Sequence, residues 1–221
     1  MNVVIFGASG MVGQGVLRAC LLDPEVDQVL VVVRRPVGIT HLKLREVLHE
    51  DFADLSALAG RFADLDACFY CLGVSAAGHD EAEYTRLTYD FTLAAAGAVS
   101  ADNPAIVFTY VSGEGTDSTE RGRVMWARVK GRTENALLAT GMDTYLFRPG
   151  YIRPRHGAVS RTRAYRLTYA LTSWLYPVLH RLAPAHTTTT DHLGRAMLAV
   201  ARTRPPGDRV LYSRDINRLG A

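Results

Sequence analysis

The strongest chemical signal in the sequence is a set of three glycines near its start. Gly7-Ala8-Ser9-Gly10-Met11-Val12-Gly13 follows directly on the apolar run Val3-Val4-Ile5-Phe6 and leads into apolar residues at helical spacing. A strand, a glycine-rich turn and a helix N-terminus in that order make a cradle for a pyrophosphate. Gly7 permits the tight turn, Gly10 lets the backbone approach the phosphates, and Gly13 lets helix and strand pack closely. The free N–H groups of the first helical turn, with their partial positive charge, then meet the negative charge. Gly7, Ser9, Gly10, Met11, Val12 and Gly13 are therefore the expected contacts of a dinucleotide. Its identity is read at the end of the second apolar run, Val33-Arg34-Arg35-Pro36. An Asp or Glu there would bond a ribose 2′-hydroxyl, and none is present; two guanidinium groups suit a 2′-phosphate. The expected cofactor is NADP(H), with NAD the less favoured form.

The remaining reactive residue types form no comparable pattern. Cys20, Cys68 and Cys71 are too few for a disulfide framework. Cys68-Phe69-Tyr70-Cys71 reads as a strand, and residues three apart on a strand point to opposite faces, so the C-x-x-C is expected to be two buried thiols. The seven histidines show neither H-x-H nor H-x-x-x-H spacing, and no metal site is expected.

The elements that must hold the turn follow from periodicity. Strands are expected at 2–6, 28–33, 44–48, 67–72, 105–111 and 144–147, and helices at 11–22, 55–63, 81–100, 124–140 and 191–202. On the 81–100 helix, Leu87, Phe91, Ala94, Ala95 and Ala98 mark the expected inner side. Strand and helix alternate, which implies right-handed crossovers and a parallel sheet. The fold class is α/β, a doubly wound parallel sheet of the Rossmann type, with a small C-terminal helical lobe. The chain's 221 residues suit one domain, with 151–190 as a lobe on the substrate side. Hydrophobic residues make up 48% and charged residues 21%, an ordinary globular balance. The strand-like start leaves no room for a signal peptide, and no apolar run reaches the length of a membrane span, so a cytoplasmic location is expected.

With these motifs in hand, the sequence resembles an atypical short-chain dehydrogenase/reductase, near the Tat-interacting-protein-like branch and bacterial NAD-dependent epimerase/dehydratase-like proteins. The resemblance runs from about residue 2 to about 201. It rests on the glycine turn, Arg34-Arg35, Asp51-Phe52, Cys71-Leu72-Gly73, Val111-Ser112-Gly113, Val129-Lys130-Gly131 and Phe147-Arg148-Pro149-Gly150. It implies that Asp51 and Phe52 border the adenine and that Leu72 and Gly73 pass beneath the cofactor. Ser112 would be the active-site serine, and Lys130 would bond the nicotinamide ribose. Pro149, Gly150 and Tyr151 would lie beside the nicotinamide.

One departure matters. The family places Tyr-x-x-x-Lys on one helical face, and this chain has Trp126-Ala127-Arg128-Val129-Lys130. A phenol can give a proton to a carbonyl oxygen; an indole N–H can only donate a hydrogen bond. Tyr110, two residues before Ser112 on a strand, and Tyr151 are the phenols expected near enough to substitute.

From Arg148 to Thr190 there are seven arginines and no acid. Within this stretch Leu167, Leu171, Trp174, Leu175, Val178 and Leu182 fall at helical spacing, interrupted by Pro177. The favoured reading is a lobe that caps a cleft or packs in a homodimer. A membrane surface is the weaker alternative, and nucleic acid is not expected, because the formal charge is only +3. Two functions stay open. One is an NADP-dependent oxidoreductase or epimerase-like enzyme acting on an unidentified small carbonyl compound, as monomer or homodimer. The other is an NADP-binding sensor or scaffold without turnover, either free or as a membrane-peripheral protein whose attachment the cofactor tunes.

Overall fold

Valine-rich runs covered on both faces give central strands of a parallel sheet, and helices between them supply the cover. The computed structural model describes residues 1–158, 181 and 183–221. Its main sheet contains β1 (Asn2–Phe6), β2 (Gln28–Val33), β3 (Leu44–Leu48), β4 (Ala67–Tyr70), β5 (Val107–Val111), β6 (Asp143–Arg148) and β9 (Val210–Tyr212). The strand order is β3-β2-β1-β4-β5-β6-β9, parallel throughout. A separate two-stranded sheet pairs β7 (Tyr151–Arg153) with β8 (Thr187–Thr189).

The helices divide between the two faces. Val16, Leu17 and Cys20 of α1 (Met11–Leu22) and Leu193, Ala196, Met197 and Val200 of α5 (Thr190–Thr203) pack on Val3, Ile5, Val29, Val31 and Phe69. Ile216 of α6 (Ser213–Leu219) joins them. The opposite face carries Val4, Phe6, Leu30, Tyr70, Phe108 and Tyr110. It is covered by Ala95, Ala96 and Val99 of α3 (Phe91–Asp102) and Leu137 of α4 (Met125–Ala139). Each layer is a cluster of buried apolar side chains, as a doubly wound sheet requires. Cys68 belongs to the second layer while Cys71 packs against the first, the two-sided placement expected of the C-x-x-C on a strand.

Three elements differ from the expectation. The 55–63 helix is a single 3₁₀ turn, Ser56–Leu58; Leu55, Leu58 and Phe62 are buried, but Gly60 at φ +79° breaks the run. The helix at 81–100 is real but interrupted. α2 (Glu81–Thr85) passes through a π turn at Arg86–Asp90 into α3. A π turn adds one residue to the repeat and rotates the next helical segment. The inner side is therefore Tyr84, Thr88, Thr92, Ala95, Ala96 and Val99, and of the expected positions only Ala95 is fully buried. The third is the stretch before the helix expected at 191–202, where no strand was expected. Thr187 and Thr188 are buried in β8, and the Thr189 side chain caps α5 by accepting the His192 N–H at 3.1 Å. Most of the 151–190 lobe, including Trp174, lies outside the described residues. Among those described, no helix is long and apolar enough to cross a membrane.

The first helix is held against the sheet by absent side chains. α1 and α5 cross at Gly15 and Gly194. A Cβ on Gly15 would lie 2.5 Å from the Thr190 Cβ, and one on Gly194 would lie 2.9 Å from the Gly15 carbonyl oxygen. Gly15→Val is expected to force these helices apart. Overpacking of this kind costs about 1–3 kcal/mol. The urea midpoint of the variant should fall accordingly, and an unchanged midpoint would show that the crossing is not tight.

Candidate functional site

The glycine turn lies at the C-terminal end of β1, where the chain order reverses between β2 and β4. Ligands of doubly wound sheets bind at that switch point. Its three glycines have different reasons to be there. Gly7 has φ +80°, and a Cβ on it would sit 2.5 Å from the Leu72 backbone nitrogen. A Cβ on Gly13 would overlap the Gly7 carbonyl oxygen. Gly10 is under neither constraint. Its φ is −80°, and the nearest atom to a Cβ would be the Gly7 oxygen at 3.4 Å, ordinary contact. The protein itself would admit a small side chain at Gly10, so its absence leaves room for something else. Gly10 is also the N-cap of α1, and no side chain caps that end. Among the described residues, the N–H groups of Met11, Val12 and Gly13 have no acceptor. An open turn and an uncapped helix start fit a pyrophosphate.

Beside the turn, Gly7, Ser9, Val32, Val33, Arg34, Arg35, Phe52 and Leu72 line a shallow pocket. Phe52 forms its floor, buried and edge-on to Phe6 at 6.2 Å between ring centroids. Arg34 and Arg35 are exposed, and among the described residues neither guanidinium has an ion pair. The nearby acid that sequence reading missed is Glu46 on β3, which accepts the Val37 N–H at 3.2 Å. Its strand brings it close, and no local motif marks it. Asp51 is exposed, and its carboxylate accepts the Ala53 N–H at 3.0 Å; it does not line the pocket. Met11 and Val12 are half-buried and lean on the α1 side of the core. Gly73 is exposed beyond β4, with open space around it.

A second cluster gathers at the ends of β5 and β6. Ser112 follows β5, and its N–H donates to the Phe147 carbonyl at 2.9 Å, which extends the sheet by one step. Its hydroxyl donates to Glu134 Oε1 at 2.5 Å. That bond uses the only hydroxyl hydrogen, so here Ser112 has none for a substrate carbonyl. Glu134 is buried on α4 and forms an ion pair with Arg148 from the end of β6; Arg148 Nε lies 3.0 and 3.1 Å from its two oxygens. Arg148 also reaches the Tyr212 hydroxyl at 3.2 Å and Ser118 Oγ at 2.5 Å. Arg148 is therefore not part of a basic face for phosphates or membranes, as its place in the arginine-rich stretch suggested. Neither half of the Glu134–Arg148 pair was found from the sequence, although Glu134 stands one helical turn after Lys130.

Lys130 Nζ donates to the Ser112 carbonyl at 2.7 Å and keeps two donors for other partners. Burial pushes its ammonium down to about 8, with Glu134 opposing. Trp126 lies one turn earlier on α4, half-buried. Its ring rests on the loop after Ser112: a Cβ on Gly115 would lie 2.7 Å from the indole Cη2. Tyr110 does share a side with Ser112, but it is 1% exposed and packed under α4, and burial raises its phenol well above the ordinary value. It cannot meet a substrate. Tyr151 is half-buried on β7, paired in register with Thr187. Between them, Glu114 N–H donates to the Pro149 carbonyl at 3.0 Å, and a Cβ on Gly150 would overlap both the Glu114 carboxylate and the His186 carbonyl. Pro149 and Gly150 are thus walled in by residues 114 and 186, neither of which was singled out in the sequence.

No family model matches the chain. It is 28% identical over 159 residues to "Protein fmp52, mitochondrial" of Emericella nidulans, a match covering 68% of this chain and 66% of that protein. It is 26% identical over 146 residues to "Leucinostatins biosynthesis cluster protein T" of Purpureocillium lilacinum, covering 65% and 53%. The chain therefore spans just under two thirds of the first relative and about half of the second. Among solved structures, the Bordetella bronchiseptica enzyme WbmF in complex with NAD+ and UDP superimposes with a TM-score of 0.71 at 18% identity, covering 96% of this chain and 71% of that one. The UDP-glucuronic acid 4-epimerase of Bacillus cereus in complex with NAD gives 0.66 at 14% identity, covering 96% and 78%. The fold is that of the short-chain dehydrogenase/reductase and epimerase structures, as the motifs led one to expect.

The Lys130 environment has a measurable consequence. The folded chain disfavours the charged amine, so between about pH 8 and the ordinary value of 10.5 the unfolded chain binds the extra proton. Stability from this group therefore rises with pH across that window. Lys130→Met should remove that rise. Urea midpoints of the two proteins at pH 7.5 and pH 10 check it; an identical pH trend in both would show that the amine is not held in its neutral form.

Proposed function

We propose that the chain binds a nicotinamide dinucleotide, with NADP(H) preferred, and uses it in oxidoreductase or epimerase-like chemistry on a small carbonyl compound. Gly10 carries the reading. It is a glycine that neither backbone angle nor packing demands, at an uncapped helix start on the switch point of the sheet. The NAD named for WbmF and for the Bacillus cereus epimerase supports a nicotinamide dinucleotide; the NADP preference rests on Arg34 and Arg35 alone. The turn and the first N–H groups of α1 would take the pyrophosphate, Phe52 and Leu72 the adenosine end, and the Arg34 and Arg35 guanidiniums a 2′-phosphate. When bound, the nicotinamide supplies a hydride donor or acceptor. The chain's own part is to orient it: Lys130, its ammonium anchored on the Ser112 carbonyl, offers its remaining donors to the ribose.

A second reading, a dinucleotide binder without turnover, is favoured by Trp126, whose indole cannot release a proton and whose ring is packed on Gly115. The two readings share the cofactor site and differ only in chemistry.

Cofactor choice is tested by calorimetric titration. NADPH should bind more tightly than NADH, and replacing Arg34 and Arg35 together with Ala should remove most of the difference. A loss of about 1–3 kcal/mol is in the range of hydrogen bonds to charged groups, or roughly five- to 150-fold in Kd. Equal wild-type affinity for the two would defeat the NADP preference.

The turn is tested separately. Gly10→Val should leave the circular dichroism spectrum unchanged, because the protein has room there, and should abolish NADPH binding. Normal binding by the folded variant would place the ligand elsewhere.

A further inference from the structure

Glu114 and His186 come from distant parts of the chain and meet beside Gly150. Glu114 is carried by the loop that leaves β5, two residues after Ser112, and is fixed by its N–H on the Pro149 carbonyl at 3.0 Å. His186 ends the 3₁₀ turn Pro184–His186 that leads into β8. Its Nδ1 is bound to Glu114 Oε1. Both side chains reach solvent, His186 at 63% and Glu114 at 35% exposure, and among the described residues the Nε2 of His186 has no hydrogen-bond partner. A carboxylate on Nδ1 fixes the tautomer and orientation of the ring, which leaves Nε2 to exchange a proton with a ligand.

The location suits that task. Gly150 follows β6, and the loop 113–115 follows β5; ligands of this architecture lie beyond these strand ends. Glu114 is flanked by Ser112, which accepts Lys130 on its carbonyl, and by Gly115, which carries the Trp126 ring. The pair therefore stands at the same end of the sheet as the helical face that lacks a phenol.

We propose that His186, oriented by Glu114, is the proton donor and acceptor of the reaction, in the role that Trp126 cannot fill. The inference rests on the dinucleotide reading above. In the reducing direction the carbonyl carbon receives a hydride from the reduced nicotinamide, and the C=O π electron pair moves onto oxygen. The imidazolium Nε2–H bond breaks, and its proton goes to that oxygen. The products are the alcohol, the oxidised dinucleotide and a neutral imidazole whose Nδ1–H still faces Glu114. Solvent returns the proton to Nε2 through the exposed edge of the ring. His186 is thus a catalytic residue, and Glu114 a positioning residue.

The test uses the full chain with ¹⁵N-labelled histidine, the His186 ring signals being assigned by their loss in His186→Gln. Calorimetry first establishes binding of NADPH and of 2′,5′-ADP, the fragment without nicotinamide. NADPH should shift the His186 ring signals and 2′,5′-ADP should not. Glu114→Gln should change the ring nitrogen shifts in the ligand-free protein, as expected when the tautomer is released. On a panel of aldehydes and ketones, His186→Gln should lower kcat by about a hundredfold or more, the usual contribution of a general acid, with the Kd for NADPH within twofold of wild type. The proposal is overturned if NADPH binds while the His186 signals stay fixed, or if Glu114→Gln leaves the ring nitrogens unchanged. It is equally overturned if His186→Gln keeps kcat within threefold, or if a wild type that binds NADPH reduces no member of the panel. Absence of any binding heat strikes down the dinucleotide reading itself, an outcome that calorimetry separates from the others.

Discussion

The buried ion pair between Glu134 and Arg148 ties the functional end of the sheet together. Taking both charges out of water costs several kcal/mol per ion, and the cost is offset only if every polar atom finds a partner. Here the partners come from five places. Ser112 after β5 and Arg148 on β6 meet the Glu134 carboxylate from α4, while Ser118 in the following loop and Tyr212 at the end of β9 meet the guanidinium. None of these segments can shift without leaving a buried charge short of a bond. The pair therefore fixes the height of α4 above the sheet. Lys130, one turn before Glu134, then reaches the Ser112 carbonyl, and Trp126, two turns before it, lies over Gly115. The site's precision comes from this network and from the close approach of Gly7 to Leu72, not from the loops themselves.

How much of this was legible in the sequence depended on how local each signal is. The strands at 2–6, 28–33 and 44–48 and the helix at 11–22 are bounded as expected, because apolar runs and a glycine turn mark both ends. The pocket at Phe52 and Leu72 was reached through resemblance. β7, β8, β9 and α6 were not found. Each is short, and each is held by partners far away in sequence, such as Thr188 on Asn217 at 2.7 Å. The π turn was hidden because periodicity carries on either side of it with one residue of slip. Glu134–Arg148 and Glu114–His186 were missed for the same reason. A lone acid on a helix reads as a solvated charge until the partner opposite it is known.

The glycines give a way to separate what folds the chain from what binds to it. Gly7, Gly13, Gly15 and Gly194 are explained by backbone angle or by atoms already present. Gly10 is not, and it stands in the turn at the switch point of the sheet. In a close-packed protein a small residue with unused space beside it on a concave surface marks an outside occupant. The dinucleotide reading, first drawn from the glycine turn, therefore does not depend on the family resemblance.

The same logic bears on Trp126. The indole is not simply a phenol position left with a larger ring, because Gly115 opposite it has no side chain, and one would have to contend with Cη2 at 2.7 Å. Indole and glycine fit each other, so the position works as packing between α4 and the loop after β5. That packing holds the loop on which Glu114 stands, and Glu114 holds His186. A residue that cannot transfer a proton thus helps to place Glu114 and, through it, the proposed proton donor His186. Ser112, turned toward Glu134, belongs with the supports. On our proposal the acid–base function and the structural function of this end of the sheet, which the resemblance would place together on one helical face, are divided between the pair beside Gly150 and α4.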